Sequence, residues 1–190
     1  MALGIIGAGL VIVLVSWAVS VYNGLVQLKV RGDNAWSDID VQLKRRYDVI
    51  PNIVATVEGY AHHEKATLQS VIEARAQAMS ADGIARKGQS ENSLTDTLRS
   101  LFAVVEKYPD LKANDSFLKL HTTLIEIEET IQAARRYYNA VVRDFNTMIQ
   151  MFPASIVAGA FNFQVREFFQ LDTPGTERQA PQVKLDLKET

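Results

Sequence analysis

The fold is decided by residues 117–152, which read FLKLHTTLIEIEETIQAARRYYNAVVRDFNTMIQMF. Apolar side chains recur there at steps of three and four residues, the spacing of one face of an α-helix. These positions are Phe117, Leu120, Leu124, Ile127, Ile131, Ala134, Tyr138, Val141, Phe145, Met148 and Phe152. The sustained repeat predicts a nearly straight helix packed along another helix at a shallow angle. Asn114, Asp115 or Ser116 is expected to cap its start and Pro153 to end it.

Three further helices are predicted from the same spacing, at residues 25–61, 63–81 and 93–108. Pro51 is expected to kink or restart the first of them. Ala81, Asp82 and Gly83 supply helix breakers, and the polar run at residues 87–90, which contains Gly88, predicts a loop before the last helix. No strand pattern of comparable length occurs. The fold class is therefore all-α, with an antiparallel four-helix bundle.

Residues 2–22, ALGIIGAGLVIVLVSWAVSVY, carry no charged side chain. About 20 apolar residues in a helix cross the ~30 Å hydrocarbon core of a bilayer. Trp17 and Tyr22 lie near one end, where amphipathic rings favour a membrane interface. We predict a transmembrane anchor at residues 1–22, in contact with membrane lipid. It should continue into the bundle as one rod, since no proline precedes Pro51.

A cleavable signal peptide is the alternative, because Ala18, Val19 and Ser20 resemble a cleavage site. The run has no basic n-region and exceeds the ~7 to 15 residues of a signal h-region, which favours a retained anchor. Basic residues follow the run from Lys29 onward and none precedes it. This asymmetry favours an inner-membrane protein with its N-terminus outside and its C-terminal domain in the cytoplasm.

Small residues within the anchor suggest a second role for it. Gly4 and Ala8, and likewise Ser16 and Ser20, are four residues apart, a spacing that lets helices approach closely in lipid. These four residues are candidates for transmembrane packing.

The C-terminal part of the chain is rich in phenylalanine. Residues 161–169, FNFQVREFF, contain Phe161, Phe163, Phe168 and Phe169, four of the eight phenylalanines. We predict that this segment forms a short aromatic-rich C-terminal helix or turn and folds back on the bundle. The bundle domain would then span residues 23–171. Exposed aromatic rings would instead bind a partner, and Trp36 joins these phenylalanines as an interaction candidate. The mostly polar residues 172–190 are predicted to form a flexible tail.

Charge and composition narrow the function. The net charge is −2, with 20 basic and 22 acidic side chains, all of them after residue 28. A nearly neutral domain lacks the positive field on which nucleic-acid binding depends, so nucleic acid is not an expected partner. The chain has no cysteine, which excludes disulfides, thiolate metal sites and a cysteine nucleophile.

Four segments resemble a known family. They are YNGLVQLKVRGDNAWSDIDVQLKRRYDVIPNIVATVEGYAHHE at residues 22–64, ARAQA from Ala74, ARRYYNAVVRDFN at residues 134–146 and FPASIVAGAFNF at residues 152–163. Together they resemble the LemA family over almost the whole chain. The resemblance implies a single-pass membrane protein with an antiparallel helical bundle and no known catalytic activity. The chain departs from the commoner family pattern at Phe145 and at Phe163 and Gln164.

No catalytic, cofactor-binding or metal site is predicted, and we expect that the protein is not an enzyme. His62, His63 and Glu64, with Glu58 one turn earlier, would support a metal-dependent hydrolase, but the second zincin histidine is missing. The favoured hypothesis is a scaffold or interaction module that forms a homo-oligomer. The alternative is an adaptor that binds a membrane protein and presents clients to a membrane protease or an envelope-stress system.

Overall fold

A computed structural model describes residues 2–170, with only the backbone described at residues 3 and 4. Every regular element in this range is a helix. The helices are α1 (Ala2–Glu58), α2 (Lys65–Ser80), α3 (Ile84–Val105), α4 (Pro109–Lys112), α5 (Asp115–Gln150) and α6 (Ala154–Ala160). The all-α class is confirmed for these residues, whereas the predicted tail at 172–190 lies outside them.

Helix α1 is continuous over 57 residues, about 85 Å at 1.5 Å per residue. Within residues 2–170 it is the one helix that is long and apolar enough to cross a membrane. The restart predicted at Pro51 does not occur, because α1 continues through this residue. Ile50 and Ile53 on either side of the proline are fully buried, and their packing holds the helix through it.

Helix α5 packs along most of α1. Met148, near the end of α5, lies next to Gly24 of α1. A Cβ atom added at Gly24 would be 3.0 Å from the methyl carbon of Met148. Further along, Glu128 of α5 contacts Arg46 of α1 at 2.6 Å. Early residues of α1 therefore meet late residues of α5, and the pair provides the framework on which α2 and α3 pack.

The start of α5 is the predicted one. The Asn114 side chain accepts a hydrogen bond from the backbone N–H of Phe117 at 3.0 Å, which satisfies a donor that the first helical turn leaves free. The apolar face predicted from the sequence is largely buried. Its buried members are Phe117, Leu124, Ile127, Ile131, Tyr138, Val141 and Phe145.

The break predicted at residues 81–83 is confirmed, and Gly83 there has a φ of +80°, which suits glycine. The loop predicted at residues 87–90 is wrong, because α3 already begins at Ile84. Gly88 is buried inside α3, where a Cβ would clash with the backbone oxygen of Gln170. This glycine is therefore required by a close approach of the chain, which the sequence pattern alone does not distinguish from a helix break.

The predicted aromatic-rich C-terminal helix also needs correction. The last helix, α6, contains no aromatic residue, and the phenylalanine-rich segment after it is not helical. Residues 163–170, here called the C-terminal strap, run back along α5 and α1. The strap lacks helical hydrogen bonds because side chains of α5 bind its backbone groups instead.

Candidate functional site

Two uncharged stretches of the chain meet at the base of α1. No charged side chain occurs at residues 2–28 or at residues 145–165, which cover the end of α5, all of α6 and the start of the strap. Leu25 of α1 is fully buried and forms a small core with Phe145, Ile149 and Ala158. The base of the molecule is therefore a separate apolar cluster, adjoining the anchor.

The turn between α5 and α6 exposes large apolar side chains beside the anchor. Phe152 is 80% exposed, and Met151 and Ile156 are 58% and 62% exposed. A groove of about 390 Å³ between this turn and α1 is lined by residues of both, including Trp17 and Val21. The exposed side chains thus lie at the level of the last turns of the predicted span.

The five aromatic interaction candidates fall into two groups. At the base of α1, Tyr22 contacts Phe161 and Phe163, with ring centroids 4.6 and 5.9 Å apart. Phe161 remains 60% exposed, and Phe163 is partly buried. Phe161 is therefore presented at the surface, next to the anchor.

The second group lies at the far end of the strap. Phe169 is fully buried, and its ring centroid is 5.2 Å from that of Trp36, which in turn lies 5.6 Å from Tyr138. The adjacent Phe168 is 42% exposed. Phe169 therefore serves as a core residue that fixes the strap, and Trp36 packs beneath it.

Two asparagines of α5 bind the strap backbone in the same way. Asn146 accepts from the N–H of Arg166 and donates to its C=O, both at 2.9 Å. Asn139 does the same with Phe169, at 2.9 and 3.0 Å. Seven residues of helix rise about 10.5 Å and three extended residues span about 10 Å, so the two pairs match in register.

Arg166 connects the strap to α1. Its guanidinium donates to the backbone oxygen of Lys29 at 3.0 Å and contacts the Asp33 carboxylate at 2.6 Å. The hydroxyl of Tyr138 donates to the backbone oxygen of Glu167 at 3.0 Å. Burial raises the pKa of Tyr138, so this hydroxyl keeps its proton and remains a donor. The strap thereby joins α1 to α5.

A buried ionic cluster lies in the middle of the bundle. The Arg46 guanidinium pairs with Glu91 of α3 and, at 2.6 Å, with Glu128 of α5. Arg46 is 1% exposed and Glu91 is fully buried. The Tyr47 hydroxyl also donates to Glu91. One arginine therefore connects three helices, and its position was not predicted from the sequence.

The environment of Tyr47 keeps its hydroxyl group protonated. Burial of its ring, followed by the nearby Glu91 carboxylate, raises the pKa of the Tyr47 hydroxyl well above its usual value. The hydroxyl therefore stays protonated and keeps donating to the carboxylate. The cluster holds helices together, with Arg46 and Glu91 buried and Glu128 at its solvent edge.

The histidines weighed as metal ligands lie at the end of α1. The rings of His62 and His63 are 4.3 Å apart between centroids, and both residues are exposed. Across residues 2–170, no three His, Asp or Glu side chains converge closely enough to hold a metal ion.

The small residues of the anchor lie on two faces of α1. At 100° per residue, Gly4 and Ala8 lie about a third of a turn around the helix from Ser16 and Ser20. Ser16 and Ser20 belong to a longer row with alternating steps of three and four residues, here called the uncharged stripe. Its members are Ala2, Ile6, Gly9, Val13, Ser16, Ser20, Asn23, Gln27, Val30, Asn34, Ser37 and Val41, and all are exposed.

The uncharged stripe lies on the side of α1 away from the bundle. The buried positions of α1 include Leu25, Ile39 and Leu43, which are roughly half a turn around the helix from the stripe. Arg45 follows Val41 on this face and gives the stripe a charged end. This row of uncharged residues thus runs along about 60 Å of helix, and it is bordered by Arg31 and Asp38, each four residues after a stripe member.

This chain is similar to members of a known protein family. The model of the LemA family matches residues 35–185. Protein LemA of Metamycoplasma hominis is 30% identical over 151 residues, which cover 76% of this chain and 69% of that protein.

Two magnetosome proteins are also similar. Magnetosome protein MamQ of Magnetospirillum gryphiswaldense is 23% identical, with 87% of this chain and 71% of that protein covered. Magnetosome protein MamQ 2 of Paramagnetospirillum magneticum is 32% identical over 81 residues, which are 43% of this chain and only 30% of that protein.

Proposed function

Because this chain belongs to the LemA family, we propose that it is a membrane-anchored, non-enzymatic helical-bundle protein that acts as a scaffold through self-association. The anchor is the apolar N-terminal part of α1, whose side chains are exposed over residues 5–17 and therefore require lipid or another protein. The bundle follows on the same helix, which supports a rigid presentation of the bundle close to the membrane.

The topology proposed is a short N-terminus outside and the bundle in the cytoplasm of a cell with an inner membrane. The basic residues after the span, beginning at Lys29 and Arg31, support it, because such residues resist translocation. We expect alkaline phosphatase fused to the C-terminus to be inactive and a fused green fluorescent protein to be bright. The reverse result would contradict the orientation while leaving the anchor in place.

The helix arrangement proposed for the bundle is an antiparallel four-helix bundle of α1, α2, α3 and α5. Contacts of Met148 with Gly24 and of Glu128 with Arg46 support opposite directions for α1 and α5. The pairing of Arg46 with Glu91 supports the placement of α3 against α1, and the contact of the Phe102 and Phe117 rings supports its placement against α5. In such a bundle one side of α1 is buried against the other helices and the opposite side is exposed.

The observation that carries self-association is the uncharged stripe on this outward side. Val30 and Val41 are 50% and 55% exposed, and the residues between them on the stripe, Asn34 and Ser37, are uncharged. Steps of three and four residues are the spacing by which one helix packs along another. Within the span, Gly9, Ser16 and Ser20 continue the same face with side chains that permit close approach in lipid.

A second copy of the chain is the occupant that this face fits. Two copies held in one membrane in the same orientation present identical stripes in parallel and at the same height. Their contact then continues from the lipid into the aqueous layer without a change of helix face. No net charge has to be buried along it, which removes the largest desolvation penalty.

We expect the double substitution Val30→Glu/Ser37→Glu to convert the assembled protein to single chains. Both glutamates lie on the stripe, seven residues apart, so parallel copies would bring like charges together in a contact that excludes water. The measurement is native mass spectrometry of the detergent-extracted full chain. The matched control is Leu118→Glu/Ile125→Glu, two residues that are also seven apart and are 45% and 46% exposed on α5.

The control variant should keep the mass of the wild-type assembly. A wild-type protein that is a single chain would overturn self-association and direct attention to the adaptor hypothesis. An assembly of unchanged mass in Val30→Glu/Ser37→Glu would place the contact on another face.

A further inference from the structure

We infer that the segment from residue 146 to residue 162, which comprises the α5–α6 turn and α6, is a second membrane-binding element that inserts into the bilayer interface beside the anchor. The partner is the lipid bilayer itself, at the headgroup and upper acyl layer. The inference rests on the proposed membrane anchoring of α1.

The first support is the level at which charge begins. Lys29 is the first charged residue of α1, and Arg166, the first after the uncharged stretch, binds the Lys29 backbone oxygen. Asp144 is the last charged residue of α5. Because Met148 contacts Gly24, a position four residues earlier on α5 lies level with Leu28. Three separate segments therefore lose their charged residues at one height on α1.

The second support is the depth of the turn below that level. The groove beside Phe152 and Pro153 is lined by Trp17 and Val21. These residues lie 12 and 8 positions before Lys29 but only five and one before Tyr22, where the predicted span ends, which places them about 8 and 2 Å inside that end. The headgroup layer on each side of a bilayer is roughly 5–7 Å thick. A turn at this depth lies in the headgroup and upper acyl layer.

The third support is the chemistry of the exposed surface. Phe152, Ile156 and Phe161 are 80%, 62% and 60% exposed. Side chains of this kind are costly in water and are the usual contacts of interfacial helices, whose apolar faces enter the bilayer by about 5–10 Å. Trp17 and Tyr22 on α1 border the same surface, and both ring types favour the interface. The surface is continuous with the span.

The absence of cysteine from the chain permits a direct test with single labels. Full-length variants Phe152→Cys and Ile156→Cys, each carrying an environment-sensitive fluorophore, are reconstituted into phosphatidylglycerol and phosphatidylethanolamine vesicles. Some vesicles contain lipid with a nitroxide quencher on the acyl chain, either near the carbonyl group or near the end of the chain, so that both shallow and deep labels can be quenched. The control Ile12→Cys reports the span, and Ile125→Cys, on the 46% exposed position of α5, reports the aqueous bundle.

We expect labels at positions 152 and 156 to be quenched by the nitroxide lipid as strongly as the label at position 12. Quenching at position 125 should be several-fold weaker. Strong quenching at 12 with none at 152 and 156 would overturn the inference and leave the anchoring intact. A blue-shifted but unquenched label at 152 would also overturn it, since protein rather than lipid would then cover the turn. Absence of quenching at 12 would overturn the anchoring and the inference with it.

Discussion

Replacement of Arg46 by methionine is expected to lower the free energy of unfolding by about 3–5 kcal/mol, because it leaves a buried carboxylate without its cation. Glu91 is fully buried and, among the side chains of the described part of the chain, would retain the Tyr47 hydroxyl as its donor. Glu128, at 34% side-chain exposure, would turn to solvent at little cost. The measurement is urea unfolding of the full chain in detergent, followed by circular dichroism.

Arg45→Met is the matched control, because Arg45 is the neighbouring residue and is exposed. Its guanidinium donates to the side chain of Gln42 on the same helix. The substitution should change stability by less than about 0.5 kcal/mol. The double variant Arg46→Met/Glu91→Met removes both buried charges and should recover most of the loss. Equal losses for Arg46→Met and Arg45→Met would contradict a structural role for the cluster.

Replacement of Phe169 by alanine is expected to release the C-terminal strap. The ring is fully buried against Trp36, and removal of a buried phenylalanine side chain costs about 3–5 kcal/mol. Because the strap otherwise depends on side-chain hydrogen bonds, much of this loss should appear as local detachment. Limited trypsin digestion should therefore cut after Arg166 many times faster than in the wild-type chain.

Phe168→Ala provides the comparison, because it removes the same side chain one residue earlier, at a position that is 42% exposed. It should leave the rate of cleavage at Arg166 nearly unchanged. Similar cleavage of the two variants would mean that Phe169 does not hold the strap, and that Asn139 and Asn146 suffice.

The helices could be predicted because their signal is local. Each long helix carries apolar side chains at the helical spacing, and α5 carries them from Phe117 to Phe145 with the predicted cap at Asn114. The strap could not be predicted in this way, because its backbone is bound by side chains 20 to 30 residues away. Asn139 and Asn146 are seven residues apart and so lie on one face of α5. A search for apolar residues alone does not detect this signal.

The ionic cluster was missed for a related reason. Arg46 lies between Leu43 and Ile50 in the apolar row of α1, and Glu91 lies three residues before Leu94 in that of α3. A search for apolar residues at helical spacing gives no weight to a charged side chain within the row. Opposite charges in such rows on different helices instead predict a buried pair, since neither is stable inside without the other.

The uncharged base of the molecule was predicted only in part. The apolar N-terminal helix was evident from composition, and so was an aromatic C-terminal segment. Phe152 lies beside Trp17 only because α5 has a particular length and a particular register against α1. Both are properties of packing between residues, such as Gly24 and Met148, that are more than 100 positions apart in the chain.

The continuity of α1 also has a mechanical consequence. Its 36 residues beyond Tyr22 extend about 54 Å from the end of the span. A span tilts when the thickness of the surrounding bilayer changes. With no joint between the two parts, a tilt of about 10° moves the far end of the helix by about 9 Å. In the proposed membrane-anchored assembly, bilayer thickness is thereby converted into the spacing between bundle tips, at a distance where no lipid is present.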